Sequence, residues 1–211
     1  MKDLSVDEIY DIIVRDMEAD AYQYQEKHHL KYRGKALAEG IENLAYLCPV
    51  CHRFDTIRAK GDEFSCDCGM KAVYDEYGYL KGDRIKDYNT TVKWNAFQKK
   101  WLIEHKEELK KQTEEAISHD ENLHLYEIVD NERVLVKDGL TASLYGERLC
   151  IDGSGLAMTL YWKDIAKIGM FRNNALYLTY GDRRYELFRP EGFPLIKYFS
   201  LWRVLTDKNL V

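Results

Sequence analysis

The sequence predicts an α+β chain: an N-terminal helix, a small metal-held β unit, an aromatic helix, and an antiparallel β sandwich or barrel closed by a C-terminal helix. Three observations predict it. Apolar residues recur at helical spacing in residues 5–26, in residues 91–118 and again after Pro194. Two close cysteine pairs sit among short β-prone pieces between residues 44 and 80. Short alternating segments separated by turn residues fill residues 123–188.

Each element has its own warrant. Ser5 followed by Glu8 is a capping-box pattern, and Val6, Ile9, Ile13 and Met17 continue it at helical spacing, so a helix is expected over residues 5–26. A second short helix is expected over residues 35–46, weakened by Gly40. The pieces TIRA, EFSC and KAVYDEYGYL follow, with Lys60-Gly61-Asp62 as a hairpin turn. Trp94, Phe97, Trp101 and His105 then share one face of a helix over residues 91–118, which packs aromatic rings on a neighbour. Eight phrases (LYEIV, RVLV, LTASLY, RLCI, LAMTLYW, AKIGMF, ALYLTY, RYELF) read as about seven strands. Leu195, Ile196, Phe199, Trp202, Arg203 and Leu205 make the final helix. The expected parts are a helical segment at 1–43, the cysteine unit at 44–82, a linker and amphipathic helix at 83–121, and the β domain with its helix at 122–211.

Composition narrows the class. The chain has 211 residues, 16 Tyr, 7 Phe and 4 Trp, too much aromatic mass for a solvated tail. No window is apolar for the roughly 18 residues of a membrane span, and the acidic, amphipathic N-terminus is unlike a secretion signal. The expectation is a cytoplasmic chain with reduced thiols, either free or peripheral at the inner face of the membrane. Residues 1–130 carry 19 Lys/Arg against 27 Asp/Glu, a net of −8, and residues 131–211 carry 12 against 9, a net of +3. The acidic front argues against nucleic acid as a partner, and the basic back permits contact with an anionic membrane surface.

The strongest chemical signal is Cys48-Pro49-Val50-Cys51, then fourteen residues, then Cys66-Asp67-Cys68-Gly69. Two tight cysteine turns on adjacent hairpins direct four thiolates at one centre, which is the donor set of a structural zinc. The unit is too small and polar to hold itself by burial, so the metal would supply most of its folding energy. The second pair is C-x-C instead of the commoner C-x-x-C. Three readings stand: zinc on Cys48, Cys51, Cys66 and Cys68; zinc with His52 replacing one of them; or reduced thiols with no metal. Four protein ligands leave no position for water, so catalysis at the zinc is not expected. Cys150 reads as a small buried group inside a strand. His28 and His29 read as part of a solvated basic face, His119 and His124 as a polar linker before the first strand, and Gly153-Ser154-Gly155 as a hairpin turn.

Two resemblances extend this. Seven strands followed by one helix resemble a pleckstrin-homology-like (PH-like) or GRAM-like domain in order and length. The phrases LSVDEIYDII, DAYQYQ and GKALAEGIENLAYLCPVCHRFDTIRAKGDEFSCDCGMKAVYDEYGYL, covering Leu4 to Leu80, resemble the region after the catalytic domain of long Firmicute-type 1-acylglycerol-3-phosphate acyltransferases. That resemblance implies a zinc-ribbon-like unit held by the four cysteines. The family's His-x-x-x-x-Asp motif is missing: five positions after the six histidines stand Arg33, Gly34, Ile57, Lys110, His124 and Val129. The resemblance therefore implies an accessory, non-catalytic region of a phospholipid-synthesis enzyme, with the acyltransferase catalytic domain or an anionic membrane surface as partner and no catalytic residue of its own. The alternative is a free-standing zinc-ribbon adaptor that binds protein or, less favoured, nucleic acid.

Overall fold

The computed structural model describes residues 4–17, 20–208 and 210. The expected first helix is two. Helix α1 (Val6–Met17) opens with the capping box: the Ser5 amide donates to Glu8 Oε2 at 2.8 Å and the Glu8 amide to Ser5 Oγ at 3.2 Å. Helix α2 (Ala21–His28) starts afresh because the Asp20 carboxylate accepts from the amides of Tyr22 and Gln23, a cap stronger than any role Asp has inside a helix. Residues 35–46 do not form an α-helix. Ala36 and Gly40 have positive φ, and only a single 3₁₀ turn at Ile41–Asn43 forms.

The cysteine unit is a four-stranded antiparallel meander: β1 (Ile57–Lys60), β2 (Glu63–Cys66), β3 (Lys71–Tyr74) and β4 (Leu80–Lys81). Lys60 pairs with Glu63 across the expected turn, where Gly61 takes φ 64°. Helix α3 (Thr91–Glu104) begins at Thr90, whose hydroxyl accepts from the Lys93 amide at 3.1 Å. Helix α4 (Lys106–Lys111) follows, and the chain leaves helical geometry well before residue 118, where the periodicity had placed the helix end.

The β domain starts earlier than expected, at Ser118. Its strands are β5 (Ser118–Val129), β6 (Glu132–Leu144), β7 (Arg148–Gly153), β8 (Leu156–Tyr161), β9 (Ile165–Phe171), β10 (Ala175–Tyr180) and β11 (Arg183–Phe188), closed by helix α5 (Leu195–Leu205). They pair antiparallel in the order β8-β7-β6-β5-β11-β10-β9. RVLV and LTASLY are one strand, not two. Gly139, with φ 63°, absorbs the irregularity as a shift in the β5–β6 register and not as a turn. Ser154-Gly155 is the β7–β8 hairpin turn as expected, both at positive φ.

Alternation sends Leu123, Leu125, Leu140, Leu176 and Leu187 inward against Tyr198, Leu201 and Trp202 of α5. In α5, Leu195, Lys197, Tyr198, Leu201, Trp202 and Leu205 are buried, whereas Ile196, Phe199 and Arg203 are only partly so. The same cluster takes in Tyr46, Leu47, Leu102 and Leu109 from the front half, whereas the meander has a second cluster of its own around Phe64, Met70, Leu80 and Trp94. Helix α3 wedges between. Trp94, fully buried in the meander's cluster, donates its indole N–H to the Leu47 carbonyl at 3.1 Å. Gln98, also fully buried, accepts from the Leu47 amide and donates to the Leu44 carbonyl. A buried amide with both ends satisfied fixes the segment leading into Cys48.

Candidate metal centre

The turn Cys48–Cys51 and the turn Cys66–Cys68 face one another. The His52 amide donates to the Cys48 carbonyl at 2.9 Å and the Cys48 amide to the Arg53 carbonyl at 3.2 Å, closing the first turn. The Gly69 amide donates to the Cys66 carbonyl and the Cys66 amide to the Met70 carbonyl, closing the second. Gly69 takes φ 83°, a conformation that glycine adopts without Cβ strain.

The four sulfurs of Cys48, Cys51, Cys66 and Cys68 lie within 4.8 Å of one another. Cys48 and Cys68 Sγ are 3.9 Å apart, and Cys51 and Cys66 Sγ 3.6 Å. Sulfurs at about 2.3 Å from a tetrahedral zinc sit about 3.8 Å from each other, so these separations suit that ion. All five cysteines are free thiols, which leaves these four available as ligands. Backbone amides support the sulfurs: Val50 N–H points at Cys48 Sγ at 3.4 Å, and Cys68 N–H at Cys66 Sγ at 3.5 Å. Thr56 Oγ1 is 3.1 Å from Cys66 Sγ. Such outer partners orient thiolate ligands.

The four sites differ electrostatically. Burial pushes the Cys48 and Cys68 thiols up. Burial acts the same way on Cys51, but the Arg53 amide and guanidinium together with the neighbouring sulfurs outweigh it and bring Cys51 down to about 6.

His52 does not join the cluster. It is exposed and held at φ 57°, with its ring 5.8 Å from that of Phe97 and 6.2 Å from that of Trp101. Among the described residues the four cysteines are the one His/Cys/Asp/Glu group placed to hold a metal. Cys150 is a correction: the alternation of β7 turns it away from the core, and it is partly exposed, 3.8 Å from Thr159 Oγ1. His28 and His29 are exposed at the end of α2, as expected, whereas His119 and His124 lie within β5 and not in a linker.

One constellation lies outside the residues that motif spacing singles out. Lys197 in α5 is fully buried, with Nζ 2.7 Å from Asp55 Oδ1 and 2.9 Å from Asp120 Oδ2. Tyr198 donates its hydroxyl to Asp120 at 2.8 Å, and Ser118 to Asp55. Asp55 lies just beyond the first cysteine turn, so this polar cluster ties the metal unit to the β domain. The signal was present in the sequence: Lys197 stands four and eight residues before Leu201 and Leu205, on the buried face.

The HNH endonuclease family matches residues 16–56, a stretch well short of half the chain. No curated protein matches. Among solved structures, the N-terminal PH domain of Vps36 is similar at 15% identity, over 44% of this chain and 80% of that one, with a TM-score of 0.36. The C-terminal PH domain of human FYVE, RhoGEF and PH domain containing protein 3 is similar at 10% identity, over 48% of this chain and 97% of that one, with a TM-score of 0.34. The strand order and closing helix themselves define a PH-like β domain. The cysteine cluster and the family match support a structural zinc. Fold and site together define a zinc-site protein with a PH-like domain. No described helix is long and apolar enough to cross a membrane. The resemblance to acyltransferase tails has no counterpart among these matches.

Proposed function

We propose that this chain is a non-catalytic binding module in which Cys48, Cys51, Cys66 and Cys68 hold one structural zinc and the PH-like domain supplies the contact surface. The supporting observation is that four thiols lie at tetrahedral spacing, with His52 turned to Phe97 and Trp101; a zinc held by all four would have no position left for substrate or water. The buried Lys197 cluster favours a unit that presents its surfaces rigidly, which suits an adaptor better than an enzyme that must open and close. The partners proposed are an acyltransferase catalytic domain, on the strength of the sequence resemblance, or an anionic membrane surface, on the strength of the net +3 carried by residues 131–211.

The HNH match favours a second reading, nucleic-acid binding or cleavage. The histidines and asparagine of the matched stretch are His28, His29, Asn43 and His52. His28 and His29 end an exposed helix, whereas His52 packs on rings from α3, so the geometry does not support a shared cleavage centre. One set of assays separates the readings. The zinc-loaded chain is incubated with supercoiled plasmid and Mg²⁺ or Mn²⁺, with anionic and neutral lipid vesicles, and with the catalytic domain of a 1-acylglycerol-3-phosphate acyltransferase. The binding-module reading expects no nicking, no acyl transfer by the chain alone, and co-migration with the anionic vesicles or the catalytic domain. Metal-dependent nicking that disappears in His52→Ala would replace it with the nuclease reading.

A further inference from the structure

Two surfaces of this chain are apolar, exposed and of opposite charge. The first is α1. None of its residues is buried, and Val6, Ile9, Tyr10, Ile13 and Met17 stand 44–82% exposed along one stripe. A helix of twelve residues is marginal in water alone, so a stripe of this kind calls for a covering surface. Its polar side carries Asp7, Glu8, Asp11 and Asp16 against Arg15, which is already paired with Asp16 at 2.9 Å.

The second is the outer face of the β-domain sheet, opposite α5. Register places Leu135 beside Tyr126, Tyr126 beside Glu186, Glu186 beside Tyr177, and Phe171 in the next strand along. Leu135 and Phe171 are more than half exposed and Tyr177 about a third. The Arg133 guanidinium lies over the rings of Tyr126 (4.1 Å) and Phe188 (4.9 Å) and pairs with the buried Glu186 at 2.9 Å, which stiffens the platform. Arg184 and Lys167, both exposed, add positive charge on the same side.

We propose that two copies of this chain associate reciprocally, α1 of each lying across the outer sheet face of the other. Charge selects this occupant. Asp7 and Asp11 flank one side of the α1 stripe and Asp16 the other, so two α1 helices laid face to face would oppose carboxylates on both flanks, and an anionic lipid surface would be repelled. The sheet face offers arginine and lysine instead. Dimensions agree: α1 is about 18 Å long, and the five strands from β6 to β9 span about 19 Å at their usual spacing. Reciprocal contact closes with two-fold symmetry and leaves neither surface uncovered.

Sedimentation equilibrium of the full zinc-loaded chain at rising micromolar concentration tests this. The wild type is expected to be a dimer whose dissociation constant rises with salt. Ile9→Asp with Ile13→Asp is expected to weaken it by tenfold or more. Asp7→Lys with Asp11→Lys, and separately Lys167→Glu with Arg184→Glu, are each expected to be monomeric, whereas an equimolar mixture of the two recovers dimers because each helix then meets a sheet of opposite charge. Circular dichroism and zinc content confirm that every variant is folded. A wild type that stays monomeric, a dimer indifferent to Ile9 and Ile13, or a mixture that stays monomeric would each overturn the assignment.

Discussion

Lys197 Nζ, wholly buried in α5, lies 2.7 Å from Asp55, just past the first cysteine turn, and 2.9 Å from Asp120 of β5. One cation thus joins three segments far apart in sequence, and hydroxyl donors from Ser118 and Tyr198 add to the hydrogen bonds of the two carboxyl groups. Removing the cation leaves the buried Asp120 and the partly buried Asp55 without the ammonium that bridges them. Lys197→Met is therefore expected to cost about 3 kcal/mol or more, read as a lower urea midpoint with unchanged zinc content. A midpoint equal to wild type would mean that the cluster adds nothing to the junction.

Purified protein should carry about one zinc per chain by elemental analysis. Cys48→Ser with Cys51→Ser should lose it, and His52→Ala should keep it, because the imidazole packs on Phe97 and Trp101 away from the sulfurs. A chelator should melt the β1–β4 meander first, since metal binding and folding are one equilibrium in so small a unit. Full zinc in the double serine variant would remove these cysteines from the ligand set.

Asp75 gives a pH dependence of definite sign. Burial pushes its carboxyl up, but Lys81 Nζ at 2.7 Å and the amides of Tyr79 and Tyr77 outweigh this and hold it below the usual carboxylate range. A lowered folded value means that stability is present above the unfolded carboxylate value and is lost as pH falls through the folded one. Asp75→Ala should cost about 2 kcal/mol at neutral pH and flatten the acid limb of a stability–pH curve. An unchanged acid limb in the variant would show that other carboxylates set it.

Gly146 is a contact no other residue fits. A Cβ there would lie 2.3 Å from the Leu109 carbonyl oxygen and 2.5 Å from that of Lys110, at the end of α4. The Gly146 amide meanwhile donates to the Gln112 carbonyl at 2.7 Å. Since backbone cannot yield as a side chain does, Gly146→Ala should destabilise by about 2 kcal/mol, seen as a lower thermal midpoint. Wild-type stability would mean that α4 shifts freely on the β domain.

The four cysteines, the hairpin turns, the capping box and the run of strands were all legible in the sequence because each is a local signal. Spacing brings two thiols onto one turn, and alternation or turn chemistry marks a strand and its end. The sequence did not disclose where helices stop. Asp20 caps a new helix instead of continuing the old one, and Ala36 and Gly40 break a periodic pattern, because capping bonds and positive φ outweigh the modest preference of periodicity. Nor could spacing decide which side of a strand faces the core. Cys150 turns outward because the neighbouring strands fix the inner face of β7. Lys197 was readable as a residue on an apolar stripe, but its carboxylate partners lie 77 and 142 residues away. Only the tertiary structure decides that pairing, because a buried charge takes whatever opposite charge the packing brings within reach.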